Sequence, residues 1–247
     1  MSSPTPSALI TGASKGIGHG VARMLAARGW SLTINARGLE RLHEVKEELE
    51  DLGGTVQVFA CDMADESALD GLIEQHADTY GQMNALILAA GVGSAAPIDG
   101  YPLRRFDKQF AVNIRAPFAL VGRALPLLRA GTASSPVIGG RIVMLASIEG
   151  VYPEVGLSAY GATKAALISL VRSINIEEGS KGIAASAISP GFVDTDMSAW
   201  TADTIPPDAM LAVSDVVKVV DLLLSVSRTA VLPHIIINRA GVSAYHA

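Results

Sequence analysis

Ala8-Leu9-Ile10-Thr11-Gly12-Ala13-Ser14-Lys15-Gly16-Ile17-Gly18 decides how this 247-residue chain folds. The apolar run Ala8 to Thr11 reads as a strand buried on both sides. It breaks into a glycine-rich turn, and a helical pattern from Ile17 to Ala27 follows, ending near Gly29. Glycines in a first strand-to-helix turn let the backbone bend tightly and approach a pyrophosphate, which the helix N-terminus also favours. Gly12, Ser14, Lys15, Gly16, Ile17 and Gly18 are therefore the expected phosphate-facing residues. Their spacing, Gly-x-x-x-Gly-x-Gly, departs from the common dinucleotide fingerprint, so the turn's place after a first strand carries the inference.

Outward from that stretch, short apolar runs keep alternating with helical patterns. Strands are expected at Trp30 to Asn35, Val56 to Ala60, Ala85 to Ala89, Arg141 to Ala146, Ala184 to Ser189 and His234 to Asn238. Helices are expected at Leu39 to Leu52, stopped by Gly53-Gly54, and from Glu66 to about Tyr80 behind Asp65 as N-cap. A long helical region runs from Pro102 to about Arg129, with a break expected before Pro117. Thr132 to Pro136 reads as a loop. Leu157 to Glu178 and Ser214 to Val226 complete the helices. Strand–helix repetition of this kind predicts right-handed crossovers and a doubly wound, Rossmann-type α/β fold: a parallel sheet of about seven strands, helices on both faces. One domain over residues 1–247 is expected. Its long irregular stretch, near 192–212, reads as a mobile lid or a plain surface loop.

Composition narrows the function classes. Hydrophobic residues make up 49% of the chain and the net charge is −5, a profile that fits a compact globular enzyme and argues against a nucleic-acid partner. One cysteine, Cys61, excludes an internal disulfide and fits a reducing compartment. The five histidines (His19, His43, His76, His234, His246) are scattered, and no metal site is expected. No apolar run reaches the roughly 18–20 residues of a spanning helix, and the start carries no signal-peptide pattern. These features lead to the expectation of a cytoplasmic protein without a membrane partner.

Tyr160-Gly161-Ala162-Thr163-Lys164 places a phenol and an ammonium four residues apart, on one face of the expected helix. A neighbouring cation favours phenolate and would lower the tyrosine from its ordinary value of about 10. Such a tyrosine exchanges a proton with a carbonyl or alcohol oxygen, and Ser147, thirteen residues upstream, is a hydroxyl able to hold that oxygen. The end of the second strand chooses the nucleotide. An acidic residue there would hold the ribose hydroxyls of NAD. This chain has Asn35-Ala36-Arg37 instead, and Arg37 with Lys15 suits a ribose 2′-phosphate, so NADP(H) is expected rather than NAD(H).

Taken together, the Thr-Gly-x-x-x-Gly-x-Gly loop, Asn113, Ser147, the Tyr160/Lys164 pair and Ser189-Pro190-Gly191-Phe192-Val193-Asp194-Thr195 resemble the short-chain dehydrogenase/reductase family, in order and spacing, from about Ala8 to Asn238. Within it the chain looks most like the single-domain 3-oxoacyl-carrier-protein-reductase-like branch. The resemblance implies that Ser147 orients the substrate carbonyl, that Tyr160 is general acid in reduction and base in oxidation, and that Lys164 holds the nicotinamide ribose. It implies that Asn113 shapes a helix bend and holds a water of a proton relay. It places Asp62 and Met63 beside adenine, and Pro190, Gly191, Val193 and Thr195 beside the nicotinamide. It also implies a homodimer or homotetramer through helices 102–129 and 157–178. Two departures stand out. Leu88-Ala89-Ala90-Gly91 lacks the family's paired asparagines, though Ala89, Ala90 and Gly91 keep their cofactor-facing place. The chain end at His234 to Gly241 lacks the usual Asp-Gly-Gly.

The expected reaction is NADPH-dependent reduction of a ketone or 3-oxoacyl carbonyl. Alternatives are an alcohol dehydrogenase working oxidatively, and a catalytically quiet NADP(H)-binding sensor or scaffold. Ser147, Ile148, Glu149, Pro153, Tyr160, Phe192, Met197 and Trp200 are the expected substrate contacts, with Val151 and Tyr152 nearby. The pocket is largely apolar, and Glu149 would disfavour an anion beside it.

Overall fold

The computed structural model describes residues 5–135, 138–201 and 203–242. Fourteen helices and strands alternate along the chain. They are β1 (Ser7–Thr11), α1 (Gly16–Ala26), β2 (Ser31–Ala36), α2 (Leu39–Asp51), β3 (Thr55–Ala60), α3 (Glu66–Tyr80) and β4 (Ala85–Leu88), then α4 (Leu103–Phe110), α5 (Ala116–Ser134), β5 (Gly140–Leu145), α6 (Ser158–Glu178), β6 (Ile183–Pro190), α7 (Val213–Ser225) and β7 (His234–Ile237). The strands form one parallel sheet in the order β3-β2-β1-β4-β5-β6-β7. This is the expected doubly wound fold. Strand order reverses between β1 and β4, and the carboxyl ends of those two strands open a crevice there.

β1, β4, β5 and β6 are buried at every position, which is why their sequences are continuous apolar runs rather than alternating ones. Each sheet face carries its own core. Leu25 of α1, Leu42 of α2 and Val220 of α7 pack on one side, and Leu72 of α3, Leu120 of α5 and Val171 of α6 on the other. Asp65 caps α3 as expected, accepting the Ser67 amide at 3.1 Å, and Gly81 ends that helix at φ +67°.

The long helical region differs from expectation in two ways. It is not interrupted before Pro117: a π-helical turn, Ala111–Arg115, joins α4 to α5. Pro117 has no N–H to give the carbonyl of Asn113, and one residue earlier the ladder has already widened, Ala116 N–H donating to the Ala111 carbonyl. The helix also runs on through Thr132 to Ser134, where a loop was expected; Pro136 lies outside the described residues. Thr132, though helical, also donates its hydroxyl to the Leu128 carbonyl four residues back at 3.0 Å, which satisfies a buried polar side chain. Gly131 is required there, since a Cβ would fall 2.0 Å from the Met83 carbonyl oxygen. Leu103–Ser134 is long and apolar enough by length and composition to cross a membrane, although no uninterrupted apolar run in it is; in the fold, 44% of its apolar window is buried, as in a core helix.

His76 of α3 has no exposed surface. Its Nε2 lies 3.0 Å from the Gln82 carbonyl, which only accepts, so Nε2 carries the proton. Its Nδ1 then accepts from the Thr33 hydroxyl at 2.7 Å. A second proton has no place, and burial lowers His76 to about 4. An unfolded histidine titrates near 6.5. Between those values the unfolded chain binds more protons, so this group's contribution is full above about pH 6.5 and lost as pH falls toward 4. Denaturant titrations at pH 7, 6 and 5 should show His76 contributing a slope of up to about 1.4 kcal/mol per pH unit, absent in His76→Gln.

Candidate active site

A cleft of about 1240 Å³ opens along the carboxyl ends of the strands. The loop from β1 to α1 forms one wall. Gly12 sits at φ +68°, and a Cβ on it would lie 2.8 Å from the Ala90 amide nitrogen. Gly18 meets the Gly12 carbonyl, with a would-be Cβ 2.4 Å from its oxygen. The first turn of α1 therefore packs directly on the loop, and Gly16, Ile17 and Gly18 line the cleft. The loop after β4, which lacks the paired asparagines, is held by other means: Thr11 Oγ1 accepts the Ala90 amide at 3.1 Å. Ala89 packs into one core and Ala90 into the other.

The second wall lies at the ends of β2 and β3. Asn35 is buried; its amide donates to the Phe59 carbonyl at 2.9 Å and toward Cys61 Sγ at 3.2 Å, while its Oδ1 has no partner. Asp62 Oδ1 accepts the Ala64 amide at 2.9 Å, an Asx turn, so the helix cap is Asp65 alone. Burial pushes the Cys61 thiol up, against the Asn35 hydrogen bond, which leaves it a poor nucleophile. Arg37 is exposed on the rim and makes no ion pair among the described residues. Lys15, by contrast, pairs with Asp196 of the facing segment at 2.8 Å.

Ser147, Tyr160 and Lys164 converge on the floor. Ser147 follows β5 and caps a short 3-10 turn, Ile148–Gly150, its Oγ accepting the Glu149 amide at 3.3 Å. The Ser147 hydroxyl lies near enough to Tyr160 to favour its ionised form, as a hydrogen bond would. Lys164, one turn along α6, donates from Nζ to the Leu145 carbonyl at 2.7 Å, and Nζ lies 5.4 Å from the Tyr160 ring centre. Burial sets both acidities. It pushes Tyr160 up to about 12, with Glu149 adding to the rise and the Ser147 hydroxyl opposing it, and brings Lys164 down to about 8. The expected lowering of Tyr160 by its neighbouring cation is thus outweighed: two side chains on one helical face are also desolvated together. Gly93 gives the ring room, since a Cβ there would lie 3.3 Å from it.

Every expected cofactor contact lines this cleft, as do Ser147, Ile148, Glu149, Phe192, Met197 and Trp200. The expected contacts at Pro153, Val151 and Tyr152 are corrected. Asn113 lies within the π-helical turn, where the resemblance implied a helix bend, and is buried behind the wall: its amide donates to the Val92 carbonyl at 2.8 Å and Thr163 Oγ1 at 3.0 Å, and its Oδ1 accepts the Val92 amide. Its side chain is spent bracing the loop after β4 against α6. Pro153 lies outside the cleft and exposed, and Val151 and Tyr152 do not line it either, because the 3-10 turn after Ser147 carries the chain away from the floor. Gly93, Thr163 and Asp196 were missed; only the Gly91-Val92-Gly93 doublet gave a local signal.

The segment after β6 closes on itself. Phe192 and Asp194 exchange backbone hydrogen bonds with Leu211, and Ser198 Oγ donates to the Thr195 carbonyl at 2.9 Å. Phe192 and Trp200 meet edge to face at 6.1 Å. No group of three or more metal-ligating side chains occurs among the described residues.

Comparison with known proteins agrees with this geometry. The short chain dehydrogenase family profile matches residues 6–205. A 3-oxoacyl-[acyl-carrier-protein] reductase of Staphylococcus aureus is 30% identical over 203 residues, 81% of this chain and 80% of that protein. Among solved structures, a 3-oxoacyl-[acyl-carrier protein] reductase from Brucella melitensis in complex with NAD superposes with a TM-score of 0.86 at 26% identity, covering 96% of both chains. A metagenomic short-chain oxidoreductase in complex with NADP gives 0.79 at 27% identity, covering 97% of this chain and 99% of the other.

The contact between Gly18 and Gly12 yields a direct test. Gly18→Ala must push α1 off the loop, and roughly 10-fold or greater loss of affinity for a reduced nicotinamide dinucleotide, NADH or NADPH, is expected by fluorescence titration.

Proposed function

This chain belongs to the short-chain dehydrogenase/reductase family, in its 3-oxoacyl-carrier-protein-reductase-like branch, and on that premise we propose that it reduces a ketone or 3-oxoacyl carbonyl to an alcohol with NADPH. Carbonyl–alcohol redox chemistry is the family's. The finer reading rests on one observation, the convergence of Ser147, Tyr160 and Lys164 on the floor of a cleft that is continuous with the glycine loop.

The cleft fits a dinucleotide. The close-packed glycine loop opens α1 at the cleft wall, and the buried, unpartnered Oδ1 of Asn35 is an acceptor lacking a donor. The glycine loop would hold the pyrophosphate, Asp62 and Met63 the adenine end, Lys164 the nicotinamide ribose, and Pro190, Gly191, Val193 and Thr195 the nicotinamide. Arg37 favours a 2′-phosphate, being cationic, exposed and uncommitted; Lys15 joins it only by leaving Asp196. When bound, NADPH supplies the hydride for the carbonyl carbon. Ser147 holds the carbonyl oxygen, and Tyr160 gives that oxygen its phenolic proton. A phenol raised to about 12 keeps its proton at neutral pH, as the acid of a reduction must; the reductive direction itself rests on the NADPH reading. The presence of all three groups in one cleft weighs against a quiet sensor. Exposed Leu103, Phe118 and Ile176 on α4, α5 and α6 support a homodimer or homotetramer through those helices.

NADPH oxidation should be followed against a panel of ketones, aldehydes and 3-oxoacyl thioesters. Tyr160→Phe should lose roughly 10²- to 10⁴-fold in kcat while still binding NADPH; no turnover by the unaltered protein on any member would sink the reductase reading. Arg37→Ala should raise the KM for NADPH roughly 10-fold and leave that for NADH nearly unchanged.

A further inference from the structure

Glu149 is a carboxyl buried in the wall of a mostly apolar cleft. It retains only 6% of its exposed surface, yet it lines the cleft two residues beyond Ser147. The backbone holds it in place: its own amide is bound by Ser147 Oγ at 3.3 Å, and its Oε2 accepts the Glu154 amide at 3.1 Å. A Cβ on Gly161 would fall 2.7 Å from the Glu149 carbonyl oxygen, so α6 packs against this turn and fixes the Glu149 backbone beside the helix that carries Tyr160. Its other oxygen, Oε1, is buried without any partner. Buried carboxyl oxygens are ordinarily hydrogen-bonded, and an orphan is costly until a donor reaches it.

Resting on the reductase reading and deepening it, we propose that Glu149 is the specificity-determining residue of this cleft, its Oε1 taking up a hydroxyl that the substrate carries near the reacting ketone. Burial and the Glu154 carboxylate push Glu149 up to about 7, so both its forms exist at neutral pH. A hydroxyl serves either form, giving its hydrogen to the carboxylate or accepting one from the acid. An ammonium group would satisfy only the ionised form, and a carbonyl only the acid. A substrate carboxylate would meet like charge. The implied substrates are hydroxyketones, in preference to plain alkyl ketones or oxo acids.

The test compares 1-hydroxy-2-butanone, 4-hydroxy-2-butanone, 2-butanone and 2-oxobutyrate in NADPH-dependent initial rates. The unaltered protein should favour a hydroxyketone over 2-butanone by roughly 10-fold or more in kcat/KM, chiefly through KM, with 2-oxobutyrate poorest. Glu149→Gln, whose amide both donates and accepts, should keep most of that preference, whereas Glu149→Val should bring the ratio to about one. Calorimetric binding of 1-hydroxy-2-butanone to the NADP⁺-loaded protein reads the same subsite without turnover. A preference that persists in Glu149→Val, or equal use of both ketone classes by the unaltered protein, overturns the subsite. Binding lost in Glu149→Val, with no turnover by any form, would uphold the subsite and sink the reductase reading. Neither binding nor turnover would overturn both.

Discussion

The hydrogen bond from Lys164 Nζ to the Leu145 carbonyl holds the reactive end of this molecule together. It ties α6 to the last residue of β5, a strand buried at every position and paired on both sides, so the helix inherits the sheet's rigidity. Tyr160 is one turn away on the same helix, and Ser147 is two residues past that carbonyl. A single charge-assisted bond thus ties the helix that carries Tyr160 to the strand end that leads into Ser147, the two groups of the proposed proton transfer. It also satisfies an ammonium that burial would otherwise penalise heavily.

Around that bond the close approaches require glycine. Gly150 lies against the backbone of Lys164, Gly161 against the Glu149 carbonyl, and Gly93 against the Tyr160 ring. Each lets a loop come near enough for polar groups to meet, and each shields the site from water, which raises the phenol's pKa and lowers the ammonium's. Asn113 completes the frame from behind. By bonding both backbone groups of Val92 together with Thr163, it links the loop after β4 to α6.

The buried carboxyl of Glu149 sits inside this frame and raises the Tyr160 phenol further. Selectivity and proton transfer are therefore electrostatically linked here: a group that meets Glu149 also alters the field at the acid. Across the cleft the Lys15–Asp196 pair joins the glycine loop to the segment after β6, but both partners are exposed, and water screens such pairs strongly.

Much of this was legible in the chain itself. Continuous apolar runs, glycine punctuation and helical periodicity are local, and local physics dictated seven parallel strands with boundaries shifted by a residue or two. The cleft's cofactor wall was legible for the same reason, since a glycine turn after a first strand has few alternatives. What only the tertiary structure decided were quantities that depend on neighbours distant in sequence. The spacing of Tyr160 and Lys164 placed them together but did not carry their burial, and burial reversed the expected direction of the tyrosine's shift. Asn113 read as the place of a helix bend, which the π-helical turn bears out, but its bonds to Val92 and Thr163 were not legible. Thr132 read as loop, yet its hydroxyl found the Leu128 carbonyl and Gly131 let α5 press on Met83. Residue type and spacing along a chain specify which groups share a face; only the packed fold settles how much water each one keeps and which partner reaches it first.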